Sequence, residues 1–166
     1  MKEEIYFTRG CGGRVSFAKM LEEIIDFINE KKSYYRIMIG TDSEIENENV
    51  DFVSAVVIHR VGFGARFFYR RWKKENEGQN NKFYLIHQRI WEEVINSLEL
   101  AQKLSEYLKN KKVPVNFEVH IDVGYNGQTK EIIQELINYI RTYGLEVKVK
   151  PESFAASKVA DRYVNF

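Results

Sequence analysis

Apolar residues recur along the 166-residue chain with two different periods, which predict helices and strands. Spacings of three and four residues predict helices over about 17–31, 83–109, 128–143 and 155–164. Short runs rich in β-branched and aromatic residues predict strands over about 35–41, 52–60, 65–73, 115–122 and 145–149. Ser16 is a suitable N-cap for the first helix, and the glycines between 10 and 13 predict a plain turn before it.

After the first helix, the predicted elements follow the order β-β-β-α-β-α-β-α. A meander of three strands followed by alternating helices and strands predicts an α/β protein with a mixed five-stranded sheet and helices on both faces. The length suits one sizeable core. We therefore expect a single domain over 1–166, in which 1–33 form an N-terminal extension with an extra helix and 34–166 form the core.

The composition argues against several other classes of protein. A hydrophobic content of 44% and an aromatic content of 14% predict a folded globule and not a disordered chain. No apolar run reaches the roughly 18 residues of a transmembrane helix, and the first residues lack the apolar segment of a signal peptide. Cys11, the one cysteine, can form neither an internal disulfide nor a zinc site alone. These features predict a cytoplasmic protein.

Acidic residues end two of the predicted strands. Asp42 closes the run that begins at Tyr35, and Asp122 closes the run that begins at Val115. A carboxylate at the carboxyl end of a strand points into the crevice where open α/β sheets bind ligands. Two such carboxylates on neighbouring parallel strands would repel each other, so a divalent cation is their natural partner. Hard oxygen ligands of this kind favour Mg²⁺ or Mn²⁺.

The register of the long second helix distinguishes two adjacent glutamates. Glu92 belongs to a polar face that continues through Asn96 and Glu99 at helical spacing. Glu93 lies beside Ile90 at the boundary of the apolar face. A carboxylate close to a core needs a partner or a metal. The pattern therefore predicts that Glu93, and not Glu92, joins the two strand-end aspartates.

Basic residues cluster on the third predicted strand, although the net charge of the chain is only +1. The cluster contains Arg66, Arg70, Arg71, Lys73 and Lys74. Such a cluster is typical of a nucleic-acid contact, and equally of a solvated edge strand whose charges block aggregation. Of these residues we assign Arg70, Arg71, Lys73 and Lys74 to nucleic-acid binding. We add Lys150 and Lys158, which flank the expected site and can contact phosphate or simply remain solvated.

Three further residues near these positions are expected to have structural roles. His120 shares a strand face with Asp122 because two residues separate them, and a contact with a strand neighbour is expected to satisfy its ring. Tyr125 and Trp72 can stack on bases, but packing in the core or at its rim is the expected role of both.

The combination of these elements resembles the ribonuclease H fold, and more closely the ribonuclease H-like YkuK family. The resemblance extends over nearly the whole chain, and the general fold matches about 35–166. It rests on Ile39-Gly40-Thr41-Asp42-Ser43, on Arg89-Ile90 with Glu93 and Ser97, on His120-Ile121-Asp122-Val123-Gly124, on Lys150-Pro151 with Ser153, and on Ala160-Asp161.

The resemblance implies that Asp42, Glu93, Asp122 and Asp161 are catalytic metal-binding acids. For phosphodiester hydrolysis, two Mg²⁺ or Mn²⁺ ions would activate water and stabilise the leaving oxygen. Asp42 is then the best candidate to bridge the ions, with Glu93 and Asp122 on one of them and Asp161 on the other. Each acid alone has another interpretation as a surface carboxylate, or for Asp122 as a helix or turn cap.

The resemblance also implies a function that involves nucleic acid, and two alternatives stay open. One is a metal-dependent nuclease that cleaves RNA in a hybrid or a structured nucleic acid. The other is a catalytically inactive module of the same fold that binds nucleic acid or mediates an interaction. Fold-level likeness does not choose between them, because related folds carry many functions.

Overall fold

The computed structural model describes residues 5–46, 49–75, 82–125 and 129–164. Its strands are β1 (Tyr6–Arg9), β2 (Arg14–Ser16), β3 (Tyr35–Glu46), β4 (Asn49–Arg60), β5 (Ala65–Glu75), β6 (Asn116–His120) and β7 (Glu146–Lys148). Its helices are α1 (Phe17–Asn29), α2 (Lys82–Asn110), α3 (Lys130–Arg141) and α4 (Phe154–Val164). From residue 35 onward the order of elements agrees with the predicted β-β-β-α-β-α-β-α.

Seven strands of the described residues form one mixed sheet, in the order β2-β1-β5-β4-β3-β6-β7. The prediction of a five-stranded sheet is wrong, because the chain before α1 folds into a hairpin that extends the sheet. Strand β1 pairs antiparallel with β2, and also with β5, where Thr8 lies opposite Tyr69. The predicted glycine turn joins the two strands, with φ values of +97° at Gly12 and +86° at Gly13. These strands are four and three residues long, too short for a visible alternation of polar and apolar residues.

The sheet has helices on both faces, as the sequence predicts. Along β3, Ile37 and Ile39 point into a large core with α1, α2 and α3, whereas Met38 points to the opposite face. That opposite face carries α4, whose Ala156 and Ala160 are fully buried against the strands. Ser16 accepts a hydrogen bond from the backbone nitrogen of Lys19 and is the predicted N-cap of α1.

Helix α4 lies unusually close to the sheet at Gly40. A Cβ atom at this position would lie 3.0 Å from the carbonyl oxygen of His120 and 3.1 Å from the Cβ of Ala156. His120 is also held here, because its Nδ1 accepts a hydrogen bond from the backbone of Ala156 and its Nε2 contacts Glu118. The expected structural role of His120 is thus confirmed. Small side chains at 40 and 156 set the distance between α4 and the centre of the sheet.

Strands β3 and β6 are adjacent and parallel, with Gly40 directly opposite His120. Strand β3, which carries Asp42, and β6, which ends two residues before Asp122, therefore pair as the sequence predicts. Asp42 does not end its strand, however, because β3 continues to Glu46 as the antiparallel partner of β4. The continuous pairing with β4 keeps the backbone extended beyond the point where β6 ends.

No helix within the four described ranges is long and apolar enough to cross a lipid bilayer.

The close approach at Gly40 predicts a large difference between two glycine substitutions. Gly40→Ala should destabilise the protein by about 1–3 kcal/mol, because the added methyl group overpacks the contact between α4 and β6. Gly124→Ala is the control, since a Cβ there would meet Lys150 at an ordinary 3.6 Å. Urea unfolding should place Gly124→Ala at or slightly above the wild-type stability. Equal stabilities for the two variants would contradict the packing described here.

Candidate carboxylate site

Two aspartates lie side by side just beyond the paired part of β3 and β6. Asp42 follows Gly40 by two residues, and Asp122 follows the opposite residue, His120, by two residues. Adjacent strands are about 4.8 Å apart, and residues two apart share a face. The backbone beyond β6 keeps its direction, because Ile121 donates to the carbonyl oxygen of Lys148. Both carboxylates therefore belong to the α4 face of the sheet.

Helix α4 brings a third carboxylate to the same face. Ala160 packs against Val53 in the sheet, and Asp161 follows it at the exposed side of the helix. The charges of Asp122 and Asp161 both act on Asp42, which shows that the three acids are electrostatic neighbours. The structure therefore brings together three of the four acids predicted from the sequence on one face.

Glu93 reaches the site from the other face, on α2. Its side chain is only 6% exposed, and its Oε1 accepts a hydrogen bond from the hydroxyl of Ser43. Asp42 and Ser43 are consecutive residues of β3, so they point to opposite faces. Ser43 thus links Glu93 to the strand that carries Asp42. The predicted burial of Glu93 is confirmed, and Glu92 lies nearer the surface with the amine of Lys74 at 2.7 Å.

Hydroxyl groups behind Ser43 hold α2 against the strand. The Oγ of Ser97 donates to the Oγ1 of Thr41 at 2.9 Å, and Thr41 shares a 2.7 Å hydrogen bond with Ser54. All of these side chains are buried. Sequence reasoning missed this network, although Ser97 lies one helical turn after Glu93 and Thr41 lies two residues before Ser43. Both spacings place the side chains on the shared surface between α2 and β3.

Burial and mutual repulsion raise the pKa of two of the acids. For Asp42, burial is the largest cause, and together with the charges of Asp122 and Asp161 it raises the pKa from 3.8 to about 6, against a hydrogen bond from the Ser43 backbone. For Glu93, burial raises the pKa from 4.5 to about 8, against the hydrogen bond from Ser43 and with a further contribution from Asp42. The protein therefore holds two carboxyl groups where their ionised forms are unfavourable without a cation.

Arg89 is a functional candidate that the sequence reasoning did not assign. It precedes Glu93 by one helical turn, and its Nη1 lies 3.5 Å from the carbonyl oxygen of Ser43. Its positive charge acts to lower the pKa of both Asp42 and Glu93. Its Nε is buried and has no hydrogen-bond partner in the part of the chain that the structure describes. Two signals in the sequence were its place in the family resemblance and the i, i+4 spacing, which places Arg89 and Glu93 on one helix surface.

The metal site itself stays a prediction. Among the described residues, no group of three or more Asp, Glu, His or Cys side chains is arranged to hold a metal ion. The donors nevertheless fit a hard divalent cation, because all of them are carboxylates and because the ionised forms of two are unfavourable without a cation. Glu93 is bonded to Ser43 and lies on the other face from Asp42, so the four acids are neighbours without forming a finished ligand shell.

The basic cluster of β5 is divided between the two faces of the sheet. Arg71 and Lys73 point to the α4 face and contact Asp51, at 2.7 and 3.5 Å. Arg70 and Lys74 point to the α2 face, where the Arg70 guanidinium lies 5.0 Å from the centre of the Trp72 ring. The structure therefore does not present the four residues as one patch. Strand β5 is also not a bare edge, since β1 covers part of it.

Asp51 is the acidic partner of the basic residues that β5 places on the α4 face. It is 2% exposed, and although burial acts to raise its pKa, the hydrogen bond and charge of Arg71 and the charge of Lys73 hold that pKa below the usual value. Arg71 and Lys73 thus have an internal partner, which weakens their case as nucleic-acid contacts. Trp72 packs on Phe52 with the two rings stacked 5.5 Å apart, which agrees with the expected structural role of this tryptophan.

Lys150 and Lys158 do lie next to the acids. The amine of Lys150 is 3.1 Å from Oδ2 of Asp122, and both lysines line a cleft of about 350 Å³ with Asp122 and Asp161. Tyr125 follows Asp122 closely and is 56% exposed, so it is a rim residue and not part of the core. The cleft combines anionic groups for a cation with cationic groups for phosphate.

The raised pKa values predict how the metal-free protein responds to pH. An acid whose pKa is higher in the folded state stabilises the fold below its unfolded pKa, and this stability is lost as the pH rises through the folded value. The melting temperature measured in EDTA should therefore fall between about pH 4 and pH 8, through the ionisation of Asp42 near 6 and Glu93 near 8. Glu93→Gln should flatten the upper part of this fall and melt higher than wild type at pH 8. Parallel curves of melting temperature against pH for the two proteins would show that burial does not raise the pKa of Glu93.

Comparison with known proteins finds matches over nearly the whole chain. The family model described as ribonuclease H-like matches residues 19–165. The chain is also similar to an uncharacterised protein, YkuK, of Bacillus subtilis (strain 168), with 27% identity over 176 aligned residues that cover 98% of this chain and 99% of that protein. The match begins inside α1 and includes every element that carries one of the four acids. The chain therefore belongs to the ribonuclease H-like family.

Proposed function

We propose that the protein is a metal-dependent nuclease that hydrolyses phosphodiester bonds in the RNA strand of a hybrid or in a structured nucleic acid. Membership of the ribonuclease H-like family indicates a nuclease-type or nucleic-acid-related function. The observation that carries the finer proposal is the position of Asp42 and Asp122 at one level of two parallel strands, with Asp161 opposite them on α4. Carboxylates placed in this way repel one another, and a bound cation would relieve that repulsion.

Asp42, Asp122 and Asp161 are the proposed ligands of Mg²⁺ or Mn²⁺, and Glu93 is the fourth. When bound, two such ions supply a nucleophilic water and counter-charge for the leaving oxygen of the phosphodiester. Asp42 would serve both ions, because the charges of both Asp122 and Asp161 act on it. Ionised Asp42 is the binding form, and with a pKa of about 6 it is present at neutral pH.

Other side chains would prepare the acids and the substrate. Lys150 holds Asp122 by an ion pair, and it is exposed enough to exchange that partner for a phosphate oxygen. Ser43 holds Glu93 beside the strand and restricts its movement. The guanidinium of Arg89 lies close to the acids and suits a phosphate of the substrate.

A second candidate function is a nucleic-acid-binding module without catalysis. The hydrogen bond between Glu93 and Ser43 favours this alternative, because a glutamate committed to a hydroxyl on the opposite face of β3 is not in a ligand shell. In that case the acids would serve the fold or bind one ion weakly.

A substrate panel distinguishes the two candidates. Labelled RNA/DNA hybrid, single-stranded and duplex RNA, duplex DNA and a four-way junction are incubated with Mg²⁺ or Mn²⁺ and analysed on denaturing gels. The nuclease proposal expects cleavage of at least one substrate by wild type and none by Asp42→Asn or Asp122→Asn. Salt-dependent binding to the same substrates without cleavage would instead select the binding module.

The adjacent glutamates of α2 provide a matched pair of variants. Glu93→Gln should reduce turnover by orders of magnitude, since it removes charge from the proposed ligand set. Glu92→Gln should change turnover by less than about threefold, because its ion pair with Lys74 is at the surface. The two variants have the same composition and net charge, so single-turnover rates compare the positions directly. Equal rates for both would exclude Glu93 from the chemistry.

The variant Asp42→Asn tests whether Asp42 is a metal ligand or a structural acid. Without metal, the variant should melt at or slightly above the wild-type temperature, because it removes a buried charge repelled by Asp122 and Asp161. Addition of Mg²⁺ should raise the melting temperature of wild type and leave that of the variant unchanged. A large loss of stability in the metal-free variant would show that Asp42 has a structural role.

A further inference from the structure

Helix α4 carries, beside Asp161, residues that the proposed chemistry does not use. Helical spacing of four places Ser153, Ser157 and Asp161 on one ridge, which borders the cleft. The same spacing places three exposed residues, Phe154, Lys158 and Arg162, on a neighbouring ridge, called here the outer ridge. Successive members are separated by about 6 Å of helix rise. The second ridge begins with an aromatic ring and continues with two cations towards the level of Asp161.

Phe154 is the most exposed of the large hydrophobic side chains in the described residues. It is 64% exposed at the rim of the cleft that contains Asp122 and Lys150. Phenylalanine has no polar group that water can satisfy, so this exposure makes the ring available to a flat apolar partner. A nucleic-acid base is such a partner, because every base has a face on which an aromatic ring can stack.

Lys158 and Arg162 are exposed cations that follow Phe154 along the helix. In the described part of the chain neither of them has an acidic partner within ion-pair distance, whereas Lys150 is paired with Asp122. Exposed cations at this spacing are suited to successive phosphate groups of one strand.

A buried hydroxyl in the cleft is a second, independent sign of a ligand. Ser157 is 6% exposed, and its Oγ has no hydrogen-bond partner among the residues that the structure describes. A buried hydroxyl without a partner is costly, since it has lost its hydration. Ser157 lines the cleft between Lys150 and Lys158, where an oxygen of a ligand would satisfy it.

We propose that the outer ridge of α4 and the adjoining cleft bind a single-stranded segment of nucleic acid. A base stacks on Phe154, phosphates contact Lys158 and Arg162, and the hydroxyl of Ser157 bonds to the strand in the cleft. This inference rests on the proposed nuclease function and makes its substrate more specific. A ring can stack only on a base face that no neighbouring base covers, so the substrate carries unstacked nucleotides beside the cleaved bond.

The test measures binding in EDTA, so that no strand is cleaved, by fluorescence anisotropy of labelled oligothymidylate. Phe154→Ala should weaken binding about fivefold or more, and Phe154→Trp should preserve it. Phe63→Ala is the matched control, because Phe63 is a similarly exposed phenylalanine in the turn between β4 and β5, towards the other end of the β3–β4 pair from Asp42. That control should bind as wild type does.

An abasic scan identifies stacking specifically. In a set of oligonucleotides with one abasic residue each, the oligonucleotide with the abasic residue at one position should bind wild type more weakly. With that oligonucleotide, Phe154→Ala should cause no further loss.

The salt dependence of binding tests the phosphate contacts. Lys158→Gln should reduce the slope of log affinity against log salt by about 0.7. Lys109 is an exposed lysine in the last turn of α2, and Lys109→Gln should not change the slope.

Three results would overturn the inference: no binding of single strands by wild type, equal effects of Phe154→Ala and Phe63→Ala, or a Phe154 effect that persists at every abasic position. Failure of the proposed function gives a different pattern. Binding with the expected Phe154 dependence but without cleavage in Mg²⁺ or Mn²⁺ would keep the inference and remove the nuclease. Cleavage that is insensitive to Phe154→Ala would keep the nuclease and remove the inference.

Discussion

The parallel pairing of β3 with β6 is the constraint on which the rest of the structure depends. It places Gly40 opposite His120, and through them it places Asp42 and Asp122 at one level. The same contact receives α4, since a side chain at Gly40 would collide with Ala156 and with the backbone of β6. A small residue in the centre of β3 thus allows the helix that carries Asp161 to lie directly over the two strands. The positions of Asp42 and Asp122 and the packing of α4 on the sheet therefore both follow from the register of β3 against β6.

Around this pairing, the protein holds carboxyl groups in places where their charge is unfavourable. Glu93 is nearly inaccessible, and burial raises its pKa to about 8. Asp42 is less buried but is repelled by two other acids. The hydroxyl of Ser43 and the guanidinium of Arg89 offset part of this cost. Buried acids lower the stability of the fold, and a purely structural core would have apolar residues in their place. Such a local loss of stability is typical of a functional site.

Elements with a clear period were predictable from the sequence, and elements set by contacts between distant segments were not. Helix α2 was recognisable because its apolar stripe repeats over many turns, and the burial of Glu93 followed from that register. The hairpin of β1 and β2 was missed since three or four residues show no period, and it forms only because β5 offers an edge to pair with. Likewise, Asp42 was expected to end a strand, but pairing with β4 extends the strand to Glu46.

For the site, the sequence by itself determined which residue types are present at which periodic positions, and hence that four acids fall on two strands and two helices. Their mutual approach depended on the tertiary structure, because strand order and helix placement bring together residues far apart in the chain. Tertiary structure alone also paired Asp51 with Arg71, and among the described residues it left the Ser157 hydroxyl without a partner beside an exposed Phe154. The physical reason is that the periodicity of a segment shows which of its side chains face the core. Which other segment packs against that face, and so which charges pair and which groups are buried, depends on the tertiary structure.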